Sequence, residues 1–255
     1  MGKKSDLSHV SKKTLTNDSD KKEKVIEIKQ DNFAVFFIGG AGDKKKYLGV
    51  VGPNNNILSC MQHFMNKKGW IVKEKRMFVT HLGYDDVYGE SRVAENVIKN
   101  IKSKETKIYI VGHSLGGWNG AHLSAILSDM GYLVRMLITL DPVGNGAIVK
   151  AISDIYPSKP SPKSAFWVNI RYEEGYLDSF TRGVIRSSSE KEKPRDLVPF
   201  FPNLVADFGE QWDVETGADE NVVRDINHAS TLKAFFSPLD KSLKSAWELM
   251  DVSIF

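Results

Sequence analysis

The chain has 255 residues, 41% of them apolar and 26% charged, with a formal net charge of +3. That length and apolar share are enough to bury one sizeable core. Residues 1–30 hold 8 Lys against 5 Asp and Glu; this end alone accounts for the net charge, the remainder sums to zero, and a basic nucleic-acid-binding face is excluded.

Taken in chain order, residues 1–30 contain no aromatic side chain, are rich in Lys, Ser, Thr and Asp, and show no apolar periodicity. They are expected to be a disordered Lys-rich tail outside the fold, leaving a single domain over 31–255. No apolar stretch follows the first lysines and no run of about 18 apolar residues occurs, so neither a signal peptide nor a transmembrane segment is expected. Asp6 breaks the myristoylation pattern that Gly2 would start. The single cysteine, Cys60, excludes an internal disulfide and lies in an apolar helical pattern that favours a buried thiol. Synthesis and folding in the cytoplasm are expected.

From residue 33 short apolar runs alternate with longer amphipathic ones: "FAVFFIGG", "NILSCMQHFMNKKGW", "KRMFVTHLG", "ESRVAENVIKNIKS", "TKIYIVG", "SLGGWNGAHLSAILSDMG", "LVRMLITLDP" and "SAFWVNIRYE". Near-continuous apolar runs suit strands buried on both faces. Their alternation with helix patterns predicts an α/β fold, a mostly parallel sheet with helices on both faces. Such sheets bind ligands beyond the carboxyl ends of their strands, which points to Gly39–Asp43, His81–Asp86, Gly112–Gly117 and Asp141–Gly144. "GGAGDKKK" lacks the spacing of a nucleotide-binding loop.

The third of these ends carries the chemistry. In "YIVGHSLGGWNGAHL", Gly112, Ser114 and Gly116 form G-x-S-x-G between a strand pattern and a helix pattern. A serine at the apex of such a turn presents its hydroxyl, and glycines two residues to either side let strand and helix approach closely. The positive end of the following helix lies at Ser114, with the Leu115 N–H directed where an oxyanion would form. Ser114 is therefore the candidate nucleophile; the competing reading is a purely structural glycine-rich turn.

A serine nucleophile requires a base, and there are 6 histidines. His9 is in the tail, His63 falls inside the first helix pattern, and His113 is the variable position of the motif, expected to pack beside the turn. His122 rides the helix of Ser114 about 12 Å along its axis, too far to accept the proton. His81 ends a strand before the serine, against the order Ser, Asp, His that this turn type uses. His228, in "VVRDINHASTLKAFF", is left as the base, ahead of a helix that Ser230 or Thr231 is placed to cap. Asp141 is the expected acid to orient it, with Asp178 as the alternative. Asp141 ends "LITLD", where a buried carboxylate needs a partner such as an imidazole N–H, and its alternative role is a turn aspartate before Pro142. Asp178, in "NIRYEEGYLDSF", follows the next strand.

With "GHSLGG", "LITLDPVG" and a late "NHAS", the chain resembles the α/β-hydrolase superfamily, and within it the lipase branch, over roughly residues 33–250. In pancreatic-type lipases an acid in a similar Leu-Asp-Pro context follows the strand after the nucleophile. The resemblance implies the α/β-hydrolase fold, and a second oxyanion N–H from Gly40 or Ala41 beside that of Leu115. "FFIGGAGD" also resembles the first strand of small bacterial lipase-like toxins delivered by type VI secretion, a likeness that implies export without a signal peptide and an inhibitory immunity protein as partner.

The long stretch "SSSEKEKPRDLVPFFPNLVADFGEQW", 187–212, combines a polar first part with Phe200, Phe201, Leu204, Val205 and Phe208. It reads equally as a lid over an acyl site and as a loop packed on the core. "WDVETGADENVVRD" gathers Asp213, Glu215, Asp219, Glu220 and Asp225 without the spacing of a calcium loop, and is expected to be a solvated acidic loop. The expected function is a serine ester hydrolase acting on a lipid or membrane-surface substrate, a lipase or phospholipase with no cofactor and no metal. A cytoplasmic esterase or thioesterase on soluble acyl substrates is the alternative, and a non-catalytic binding protein on the same fold is the rival from another class.

Overall fold

The structure, a computed structural model, describes residues 31–44, 56–74, 76–172, 210–212, 217–224, 226, 228, 230–239 and 244–254. The tail 1–30, Asp178, Asp213, Glu215, Asp225 and the stretch 187–209 lie outside the described residues.

The alternation read from the sequence appears as β1 (Phe33–Gly39), α1 (Asn56–Lys73), β2 (Met77–Gly83), α2 (Glu90–Asn96), β3 (Lys107–His113), α3 (Leu115–Asp129) and β4 (Leu133–Leu140). There follow β5 (Val143–Asn145), α4 (Ala147–Ile152), β6 (Trp167–Tyr172), β7 (Glu210–Gln211), β8 (Glu220–Arg224), α5 (Thr231–Phe236) and α6 (Ala246–Ile254). Among the described residues the main sheet has six strands in the order β2-β1-β3-β4-β6-β8, and every neighbouring pair is parallel.

Strand β1 is apolar throughout because both of its faces are covered. Ala34, Phe36 and Ile38 enter a core shared with Val93 and Val97 beside α2 and with Leu115, Trp118 and Leu123 of α3. Phe33, Val35 and Phe37 enter the opposite core with Ile57, Cys60 and Phe64 of α1, Phe235 of α5 and Met250 of α6. Complete burial of a Phe or Ile side chain contributes roughly 1.5–3 kcal/mol, so this strand anchors both layers. Cys60 is the buried thiol its helical pattern predicts.

The chain leaves β1 outward to β2, then crosses back to the other side of β1 for β3 and continues to β4, β6 and β8. The connections after β1 and β3 therefore lead to opposite faces, α1 on one and α3 on the other, which makes the carboxyl ends of these two strands the switch point at which such sheets bind ligands. Gly40 follows β1 and Ser114 follows β3, and the two are in contact at this point.

Three details depart from the sequence reading. The pattern "ESRVAENVIKNIKS" breaks at Val97: α2 stops at Asn96 and a 3-10 turn, Ile98–Asn100, follows. The solvated acidic loop is corrected in its last part, where Glu220–Arg224 is β8, the edge strand among the described residues, and the Asp219 carboxylate accepts the Trp167 N–H at 2.6 Å. The end of the 187–212 segment belongs to the body of the fold, because Glu210 and Gln211 pair antiparallel with β5 and Trp212 is buried against Trp118 and Trp167. No described helix is long and apolar enough to cross a membrane.

Candidate active site

Ser114 forms the turn between β3 and α3 with φ 55° and ψ −128°, a conformation L-residues rarely adopt. The turn is held from both ends. The Ser114 N–H donates to Leu140 O at 3.1 Å, and the Ser114 carbonyl accepts from Gly117 at 2.9 Å, Trp118 at 3.2 Å and Val143 at 3.1 Å. The motif glycines are there for close approach: a Cβ on Gly112 would overlap the Gly116 carbonyl, and one on Gly116 would overlap the Ile38 carbonyl.

Asp141 immediately follows β4, the strand beside β3, and also has positive φ, 46°. Its N–H donates to Ile170 O at 2.6 Å. His228 arrives between β8 and α5. The three side chains form one chain of hydrogen bonds: the Ser114 hydroxyl donates to His228 Nε2 at 2.8 Å, and His228 Nδ1–H donates to Asp141 Oδ2 at 2.5 Å. The other oxygen, Asp141 Oδ1, accepts the Tyr172 N–H at 2.9 Å. The carboxylate is fully buried, and both of its oxygens are engaged, which is the condition for holding a charge away from water. Ser114 is 2% exposed and His228 5%, so the relay is screened from bulk water.

The remaining sequence candidates take other places. Gly40 packs on the nucleophile, since a Cβ built on it would lie 2.5 Å from Ser114 Cβ and 3.0 Å from its Oγ. Ala41 follows in a turn closed by Asp43 N–H to Gly40 O at 3.3 Å. Leu115 opens α3, where the first N–H groups lack intrahelical acceptors and remain available to an anion. His63 packs on Phe236 and Trp247, and His122 lies with Nε2 2.9 Å from Ser158 O. His81, at the end of β2, is pushed down to about 4 by burial, with Lys44 adding to the effect. Ser230 takes the N-cap position of α5 without a side-chain cap bond, so the capping expectation is not met.

Sequence reasoning missed the groups behind the base. His113, read only as packing beside the turn, donates from Nε2 to His228 O at 2.8 Å, and its ring lies 6.3 Å from Tyr172 in a stacked arrangement and 4.7 Å from the His228 ring. Burial holds His113 neutral, well below the ordinary imidazole range, and the neighbouring His228 adds to this. Asp43, within the Gly39–Asp43 strand end singled out from the sequence, was given no role there. Its Oδ2 accepts the Ile57 N–H at 3.2 Å at the start of α1, and burial pushes its carboxyl up to about 6 against the backbone bonds from Ile57 and Asn56. The signal for Asp43 was its position four residues beyond Gly39, the end of β1.

The arrangement supplies a hydroxyl, a base that can remove its proton, a buried carboxylate that steadies the resulting imidazolium, and backbone N–H groups near the hydroxyl. No cluster of three or more His, Cys, Asp or Glu placed to hold a metal occurs among the described residues. Comparison with known protein families, with curated proteins and with solved structures returns no match.

Proposed function

We propose that the chain is a serine ester hydrolase of the α/β-hydrolase fold, acting on lipid as a lipase or phospholipase. The observation that carries the reading is the Ser114–His228–Asp141 hydrogen-bond chain, in the order Ser, Asp, His along the sequence and at the carboxyl end of a parallel sheet. His228 Nε2 takes the Ser114 proton as Oγ attacks the ester carbonyl. The N–H of Leu115, with that of Gly40 or Ala41, receives the developing oxyanion, and Asp141 stabilises the imidazolium and holds its tautomer. His228 then passes the proton to the departing alcohol. Water, deprotonated by His228 in turn, releases the acid from the acyl-Ser114 intermediate.

The choice of lipid over a soluble ester rests on the likeness of "GHSLGG" and "LITLDPVG" to the lipase branch. The likeness of "FFIGGAGD" to type VI lipase toxins extends the proposal to a delivered effector, with an immunity protein as its inhibitory partner.

The test is mass-spectrometric product analysis of mixed phospholipid and triacylglycerol vesicles and of a short-chain soluble ester, with wild type and Ser114→Ala. Fatty acid released from the vesicles by wild type and absent with the variant is the expected result, and the products identify the bond cut. Turnover of the short ester alone would replace the lipid reading by the esterase one. No Ser114-dependent product from any of them would leave a non-catalytic binding role.

A further inference from the structure

The base enters the site from a short connection. Six residues, 225–230, separate β8 from α5, and His228 is in their middle. Its side chain is aimed by Asp141, but its main chain needs a separate anchor if Nε2 is to stay on the Ser114 hydroxyl. Among the described residues the His113 side chain supplies such an anchor, its Nε2–H meeting the His228 carbonyl at 2.8 Å. We infer that His113 is a positioning residue that ties the base loop to the turn carrying the nucleophile; the inference rests on the hydrolase reading above.

The details of the contact explain why a histidine suits the position. Donation to a carbonyl requires the proton on Nε2, which leaves Nδ1 bare. That Nδ1 is buried with no hydrogen-bond partner among the described residues, so a second proton there would be both unsatisfied and close to the ring that must itself become positive in the proposed reaction. His113 therefore stays neutral while His228 cycles. Its flat ring packs beside both neighbours, 6.3 Å from Tyr172 at an interplanar angle of 23° and 4.7 Å from His228. Because His113 is covalently next to Ser114, any movement of the turn carries the base loop with it, and the hydroxyl-to-Nε2 distance is preserved.

The test compares His113→Phe, which keeps a flat ring and loses the donor, with His113→Gln, whose amide N–H reaches toward the same carbonyl. Each is measured for kcat, KM and pH profile on a short-chain ester, and for the low-field NMR signal of the His228 Nδ1 proton shared with Asp141. A displacement of about 1 Å from the reactive geometry costs on the order of 100-fold. The expected result for His113→Phe is thus a kcat lower by about 10- to 100-fold with little change in KM, a displaced base limb in the pH profile, and a shifted or broadened low-field signal. His113→Gln is expected to recover most of the loss. Should His113→Phe fail to fold, His113→Asn takes its place, since its amide is one methylene too short, and the same ranking below Gln is expected.

Wild-type kcat and an unmoved low-field signal in the donor-less variant would overturn the inference, as would equal defects in folded Phe (or Asn) and Gln variants. The two readings fail separately. A wild type that turns over no ester removes the hydrolase proposal while the NMR signal still reports on positioning; an active wild type with an indifferent His113→Phe removes only the positioning role.

Discussion

At the scale of single residues, backbone strain is concentrated where the chemistry is proposed. Ser114 and Asp141 are the two non-glycine residues with positive φ among those described. Each such conformation costs on the order of 1–3 kcal/mol, and each is sustained by surrounding bonds, Ser114 through its main chain and Asp141 through Ile170, Tyr172 and His228. Asp141→Asn would leave the fold in place but remove the acceptor that holds His228 Nδ1 protonated. The expected loss in kcat is about 10⁴-fold, with a near-unchanged melting temperature, when ester turnover and circular dichroism are read on the same preparation. Turnover within tenfold of wild type would assign the orienting role elsewhere. The strand-turn-helix placement of Ser114 was legible because its signal is local, a motif five residues long between a strand and a helix pattern. Asp141 was legible because a charged residue ending an apolar strand calls for a partner. His113 was not, because its partner lies 115 residues away and no local pattern marks a side chain that bonds a distant carbonyl.

At the scale of elements, the elbow depends on how closely α3 can sit on β1 and β3. Gly116→Ala would drive a Cβ into the Ile38 carbonyl, a backbone atom that cannot swing away. The expected cost is at the upper end of overpacking, about 3 kcal/mol or more, seen as a fall in melting temperature together with loss of activity. A variant melting with wild type would show that the two elements separate more easily than their packing indicates. The long strands and helices were readable, since β1, β3 and β4 are apolar on both faces and α1 and α3 are long. Strand β8 was not, because it is an edge strand with Glu220 and Val222 inward and Asn221 and Val223 outward, a mixture resembling a polar loop. Strands β5 and β7 are too short to carry any period. The order of strands, which brings the ends of β1 and β3 side by side, is a property of long-range pairing that one sequence does not display.

At the scale of the whole molecule, pH acts on stability through groups that folding buries. The Asp43 carboxyl is raised from 3.8 to about 6 by burial, so the folded chain favours its protonated form. Its stabilising contribution is complete below the unfolded value and is lost as pH rises through about 6; above that, the buried charge costs up to about 3 kcal/mol. Asp43→Asn keeps an acceptor for the Ile57 N–H and removes the charge. The variant should match wild type near pH 4 and be the more stable protein at pH 8, by denaturant melts at both values. The opposite shift of His81 is common to both proteins and cancels in the difference. Parallel stability curves would mean that Asp43 ionises without cost. The proposed site is a whole-molecule property in the same sense, since Ser114, Asp141 and His228 come from three separate parts of the chain and meet only through the sheet.

The central claim, that Ser114 is a nucleophile activated by His228, is tested most directly by reaction with a fluorophosphonate, followed by peptide mapping in the mass spectrometer. One adduct per chain on Ser114, lost in His228→Ala while that variant keeps its fold, is the predicted result. No adduct on the wild type, an adduct on another residue, or equal labelling without His228 would contradict it.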